Sequence, residues 1–218
     1  MLTDGIMNES SPQKCGILLL LAAAAVSLCA CNSTAVRETP ARVEIQEAVG
    51  FTIIEEARIA GDVRVDYDRA LGLLAEGRLQ EGVALLETVA ENAPMLSAPQ
   101  IDLGIAYHRI GDLETAENYL REALDINSQH PIALNELGIV YRKTARFAEA
   151  RLSYERALAV YPGYHYARRN LGVLCDLYLA DMDCALQNYE AYMATVHRDD
   201  EVSMWLRDIR YRMGLLED

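Results

Sequence analysis

Leu137-Gly138-Ile139-Val140-Tyr141 follows Leu103-Gly104-Ile105-Ala106-Tyr107 at an offset of 34 residues, and this pair of segments decides how the chain is read. The same offset carries Ala116 to Ala150 and Ala123-Leu124 to Ala157-Leu158. One step forward places Leu171-Gly172 under Leu137-Gly138. One step back places Ala70 under Gly104, Gly82 under Ala116, Leu86 under Leu120 and Pro94 under Ser128. Four units therefore start near Val63, Ser97, Pro131 and His165. A fixed period of this length marks a supersecondary unit that cannot bury its apolar face alone and must stack on its neighbours.

Within the third unit Leu137, Gly138, Tyr141, Ala150, Tyr154, Ala157 and Pro162 fall at fixed positions along the period. Together they resemble the tetratricopeptide repeat family, whose unit is a 34-residue helix-turn-helix. The second unit departs from that pattern at Ser128, and the first carries Arg69 and Leu73 where Leu and Tyr are usual. The resemblance implies an all-α helical-repeat solenoid of about four units over residues 63–198. It implies that Gly104 and Gly138 oppose Ala116 and Ala150 so that paired backbones approach closely. Tyr107, Tyr141, Leu120 and Tyr154 are expected between neighbouring units, and Gly111-Asp112 and Ala145-Arg146 in turns. Pro131 and Pro162 mark boundaries that a helix does not cross undisturbed.

The open ends of such a stack need covers. Asp199-Asp200 starts a segment in which Val202, Trp205, Leu206, Ile209 and Met213 recur at helical spacing, so residues 199–218 read as a capping helix and tail. Residues 51–62, opening on Phe51-Thr52-Ile53-Ile54, read as a leading segment over the first unit.

The N-terminus has another logic. Lys14 precedes the apolar run Gly16–Leu28, which is too short for a spanning helix, for which about 20 residues are needed. It suits a signal-peptide core, so residues 1–30 read as an export signal. The run ends in Leu28-Cys29-Ala30-Cys31, which resembles a bacterial lipobox, and the resemblance implies cleavage before Cys31 and covalent lipid on its sulfur. Two or more acyl chains anchor stably where one does not. Asn32 after the cysteine, where Asp would favour inner-membrane retention in proteobacterial-type lipoproteins, implies the periplasmic face of the outer membrane. Residues 31–50 read as the lipidated cysteine and a pattern-free tether, with a coil span on the order of 25 Å.

A formal charge of −13 disfavours nucleic acid as a partner. The chain carries no H-E-x-x-H, no G-x-S-x-G and no phosphate-binding glycine loop, and its four His are scattered, His130 falling in a loop at a unit boundary. The expectation is a non-enzymatic scaffold that requires no cofactor beyond the lipid and no metal.

The family resemblance places first helices along a concave face. By position it lines that face with Tyr67, Ile101, Asn135 and Arg169, then with Ile105, Ile139 and Val173, then with His108, Arg142 and Asp176. Arg109 and Lys143 adjoin the third row, and Tyr166 and Arg168 extend the face. The result is an aliphatic floor with a basic rim that suits a peptide or helix of an envelope protein. In the fourth unit the turn is one residue longer, and Cys175 takes the helix-one Tyr position while Cys184 lies at or beside the small position of helix two. These positions face each other in the family, which implies a Cys175–Cys184 disulfide contributing about 2–3 kcal/mol. Two buried thiols and a thiol-redox pair remain the alternatives at these cysteines, and a peptidoglycan-binding groove is the alternative to a protein-binding one.

Overall fold

The computed structural model describes residues 42–46, 50–54 and 60–215. The export signal, Cys31 and most of the tether lie outside the described residues. Nine helices follow one another among those residues. They form the pairs α1 (Gly61–Ala75) with α2 (Leu79–Asn92), α3 (Ser97–Ile110) with α4 (Leu113–Ile126), α5 (Pro131–Lys143) with α6 (Phe147–Val160), and α7 (His165–Leu177) with α8 (Met182–Thr195), followed by a single α9 (Asp200–Arg212). Each helix packs on its partner and on the next pair, and α3, α5 and α7 also touch in succession. This is an all-α helical-repeat solenoid closed by a capping helix. None of these helices is long and apolar enough to cross a membrane.

Local chemistry sets the helix ends. Asp112, Asp181 and Asp199 each accept a backbone N–H three residues on, from Thr115, Cys184 and Val202, at 3.0–3.1 Å. Such caps satisfy donors that the first helical turn leaves unpaired. Every turn within a pair reuses one backbone bond: Arg78 N–H to Leu73 C=O, Asp112 N–H to Tyr107 C=O, and Arg146 N–H to Tyr141 C=O, all within 3.0 Å. In the fourth unit the counterpart runs from Asp181 N–H to Cys175 C=O, six positions apart instead of five. The left-handed turn residue is Gly77 or Gly111 in the first two units but Ala145 (φ 59°) and Ala180 (φ 52°) in the last two.

The core runs through all the pairs. Ala116, Leu120, Ala150, Tyr154, Leu174, Ala185, Val202 and Ile209 are fully buried in its larger part. A smaller part joins Ala70, Val83, Leu86 and Leu103. The glycines at the helix-pair contact make room within the unit, for the large side chain of its own second helix. A Cβ on Gly138 would stand 2.5 Å from Tyr154 Cε1, and one on Gly172 2.5 Å from Tyr189 Cε1. Leu120 and Tyr154 therefore fill the inside of their own units as well as the seams.

One stretch differs from the sequence reading. Residues 42–46 were assigned to the tether, yet Arg42–Gln46 pairs antiparallel with Gly50–Ile54 as a hairpin, with Val43 opposite Ile53 and Ile45 opposite Phe51. Arg42-Val43-Glu44-Ile45-Gln46 alternates polar and apolar residues, the period of a strand rather than of a coil. His130 lies in the boundary loop, as expected, but does more there than connect two helices. It is 4% exposed, and its Nδ1 accepts the Ala133 N–H at 3.4 Å, capping α5 ahead of Pro131. Burial without an ionic partner pushes its pKa down to about 4.

Candidate functional site

The first helices carry the residues of the expected groove, and the structure divides them into three sets. Ile101 and Asn135 are 4% and 2% exposed and do not line a surface. Ile101 belongs to the apolar core, and Asn135 accepts from Asn170 at 2.9 Å and donates to Glu136 at 3.0 Å. Both point between first helices of adjacent units, where packing replaces solvent. They are corrections to the groove list.

Tyr67 and Arg169 form the second set, engaged by the neighbouring first helix. The Tyr67 hydroxyl donates to Asp102 at 2.5 Å. Arg169 pairs with Glu201 of α9 at 2.6 Å, and its guanidinium lies 4.9 Å from the Trp205 ring centroid. The capping helix therefore takes the Arg169 expected to meet a ligand. It takes Asp176 as well, whose side chain is 7% exposed and held by Arg212 at 2.9 Å.

His108, Arg109, Arg142 and Lys143 form the third set, at the C-terminal ends of α3 and α5. Arg109 and Lys143 are exposed, while His108 and Arg142 are half-buried. His108 Nε2 and Arg142 Nε are buried without a hydrogen-bond partner. Arg142 reaches Tyr178 through Nη1 at 3.4 Å, and its guanidinium lies 5.7 Å from that ring. Burial, then the charges of Lys143, Arg109 and Arg142, lower the His108 pKa. Among the described residues no side-chain hydrogen bond or ion pair joins α3 to α5. By contrast, Tyr67–Asp102 joins α1 to α3, Asn170–Asn135 and Arg142–Tyr178 join α7 to α5 or its end, and Arg169–Glu201 and Asp176–Arg212 join α7 to α9. Tyr166 is separate from this set, 58% exposed near the start of α7, with its ring 4.1 Å from that of His165.

The sequence reading omitted a polar row at the base of the face. Asp102, Glu136 and Asn170 recur at the 34-residue offset, which was the available signal. Burial raises the pKa of Asp102 and of Glu136, each partly offset by a hydrogen bond and by the Arg109 charge. The α3–α5 seam thus carries buried carboxylates beneath a cationic rim.

The two late cysteines are joined, Cys175 to Cys184, with Cα atoms 5.9 Å apart. Cys175 is fully buried. The bond ties α7 to α8 across the lengthened turn. Asp181 is the one further potential ligand, with the three ligand atoms within 4.8 Å of one another. With the two sulfurs bonded to each other, no thiolate is available there for a metal.

Stacked helix pairs with a polar inner face define a class, the helical-repeat scaffolds for protein–protein interaction. Residues 67–131 and residues 131–164 match family models of the tetratricopeptide repeat. The anaphase-promoting complex subunit CDC16 of Saccharomyces cerevisiae is 31% identical over 85 residues, which are 39% of this chain and 10% of that protein. The chain spans about a tenth of the length of the first curated relatives it matches. Among solved structures, Pseudomonas aeruginosa PilF superposes with a TM-score of 0.64 at 20% identity, over 70% of this chain and 69% of that one. MamA of Desulfovibrio magneticus superposes at 0.63 and 18% identity, over 72% and 88%. The first repeat domain of Spaghetti, bound to the HSP90 peptide SRMEEVD, superposes at 0.52 and 19% identity, over 54% and 93%. At these identities the likeness is one of fold.

Proposed function

We propose that the protein is a membrane-anchored scaffold of the bacterial envelope, lipidated on Cys31, whose inner face holds an acidic segment of an envelope protein at the α3–α5 seam. The observation that carries the binding reading is the set of unmet donor atoms and exposed basic side chains at this seam. His108 Nε2 and Arg142 Nε are buried and unpartnered, and Arg109 and Lys143 stand exposed beside them. Buried polar groups normally find partners. A carboxylate laid across the ends of α3 and α5 would accept from these groups and would also meet the negative-seeking rim. The Spaghetti repeat domain, of the same fold, holds a peptide with three acidic residues, which supports this mode for the fold without naming a partner here.

The anchor rests on Leu28-Cys29-Ala30-Cys31, and the outer-membrane, periplasm-facing location on Asn32. An oxidising compartment accords with the Cys175–Cys184 bond. The test is in-cell photo-crosslinking from Lys143, with Arg109→Glu as companion and Cys31→Ser as the anchor control. One discrete protein adduct that disappears in Arg109→Glu is the expected result. An adduct unchanged by Arg109→Glu, or none from a folded and exported protein, would overturn the groove reading. Retention of membrane attachment by Cys31→Ser would overturn the anchor.

A further inference from the structure

The outer side of the first two units carries a second polar site of opposite charge. A cleft of about 530 Å³ lies between α2 and α4, with α3 at its base. Glu87, Glu91 and Glu122 line it with Tyr119 and Gln100. Among the described residues, none of the three carboxylates forms an ion pair. Glu87 accepts from Tyr107 at 2.7 Å and from Tyr119 at 3.4 Å, both on Oε1. The Tyr107 and Tyr119 rings stack with centroids 5.5 Å apart, giving the cleft an aromatic wall. Gln100 is 6% exposed, and its Oε1 is buried with no hydrogen-bond partner. A buried acceptor left unpaired is costly, so this site favours an incoming donor.

The repeat supplies its own comparison. At the next seam the residue in Gln100's place is Leu134, and Arg156 and Arg121 stand where Glu122 and Glu87 do. There Arg121 donates to Tyr141 at 3.2 Å, and the apolar Leu134 leaves no orphan acceptor. In the fourth unit the place of Gln100 is taken by Arg168, whose guanidinium donates to Asn188 at 3.2 Å and to the Pro162 carbonyl at 3.3 Å. One seam thus sets its own arginines around an apolar Leu134, one holds a built-in guanidinium at the central position, and the first is acidic with an unmet acceptor. The three glutamates are not among the groups whose ligand atoms converge within 4.8 Å, so the site is too wide to gather them on one metal ion. A planar guanidinium with several donors spans such a site, meets carboxylates bidentately and stacks on a tyrosine face.

We propose that the α2–α4 cleft is a binding site for an arginine side chain presented by a partner protein. It is independent of the inner face, so the scaffold would offer an acidic pocket outside and a cationic seam inside. The test uses the full chain in detergent, nuclear magnetic resonance of the Gln100 side-chain amide, and the probe acetyl-Gly-Arg-Gly-amide. The peptide with citrulline in place of arginine, and spermidine, serve as comparison probes. The arginine peptide is expected to shift the Gln100 amide, while the neutral citrulline peptide leaves it in place. Glu122→Arg, an exposed position that copies Arg156, is expected to weaken the arginine peptide by about tenfold or more. Gln100→Leu, which copies Leu134, is expected to weaken it about fivefold, read on the Glu122 backbone amide because the variant lacks the Gln100 side-chain amide. Since the chain attracts any cation through its −13 charge, site-specific loss in these variants separates the cleft from that general field. Equal shifts with the citrulline peptide, unchanged affinity in Glu122→Arg, or a response to spermidine and none to the arginine peptide would each overturn the proposal.

Discussion

The seam between α3 and α5 and the seam between α7 and α9 are built from the same helix face, yet only the second is closed by side chains. Arg169 with Glu201 and Trp205, and Asp176 with Arg212, fasten α9 across the face of α7. At the α3–α5 seam His108, Arg109, Arg142 and Lys143 gather without a counterpart from the facing helix. Position in the repeat therefore does not separate a binding residue from a structural one. The adjacent first helix does, by supplying or withholding an opposite charge.

The largest expected effect breaks the closed end. The Cys175→Ala/Cys184→Ala double variant removes the bond that ties α7 to α8 and is expected to lower stability by about 2–3 kcal/mol, read as an earlier thermal or denaturant transition. If the transition does not move, the clamp is not what fixes the fourth unit.

The open end is expected to be the acid-sensitive one. His130 caps α5 only while neutral, and its folded pKa, about 4, lies below the ordinary value of 6.5. Between these values the unfolded chain binds the extra proton, so this contribution is complete above about pH 6.5 and is lost as pH falls toward 4. His130→Asn keeps a capping acceptor without titrating there. It is expected to remove about 2 kcal/mol of the stability lost between pH 6.5 and 4.5, measured by denaturant unfolding at both values. Equal acid sensitivity in both proteins would show that other groups govern it.

The smallest effects sharpen the comparison directly. Arg169→Glu sets two carboxylates against each other at α7–α9 and is expected to cost about 1 kcal/mol, a modest figure because Glu201 is 57% exposed and screened. It is also expected to speed proteolysis within α9. Arg109→Glu at the open seam is expected to change stability by less than about 0.5 kcal/mol while abolishing the adduct crosslinked from position 143. The reverse pattern, with Arg109 structural and Arg169 neutral, would invert the assignment.

Much of the architecture was legible in the residues. The offset of 34 placed helix pairs because a small residue recurs on both helices of each unit, Ala70 with Gly82 in the first and Gly104 with Ala116 and Gly138 with Ala150 in the next two. The longer turn of the fourth unit was visible as a shift of its small and aromatic positions to Ala185 and Tyr189. The spacing of Val202, Trp205 and Ile209 showed the capping helix. The site was legible only in part. Ile101 and Asn135 hold positions of a groove lining but are buried, Arg169 is spent on α9, and the loop residue His130 also caps α5. The paired strands 42–46 and 50–54 had an alternating pattern, obscured by the polar, pattern-free stretch before them.

The sequence by itself determined the period, the helix pairing and the order of charges along the inner face. Those follow from interactions between residues close in the chain or from register, which a linear pattern records. Only the tertiary structure decided which inner-face residues meet solvent and which meet each other. Glu201 reaches Arg169, Asn170 reaches Asn135 and Asp102 reaches Tyr67 across more than 30 residues each, so the exposure of a side chain depends on a neighbour one whole unit away. The same spacing leaves Gln100 Oε1 and His108 Nε2 buried without a hydrogen-bond partner.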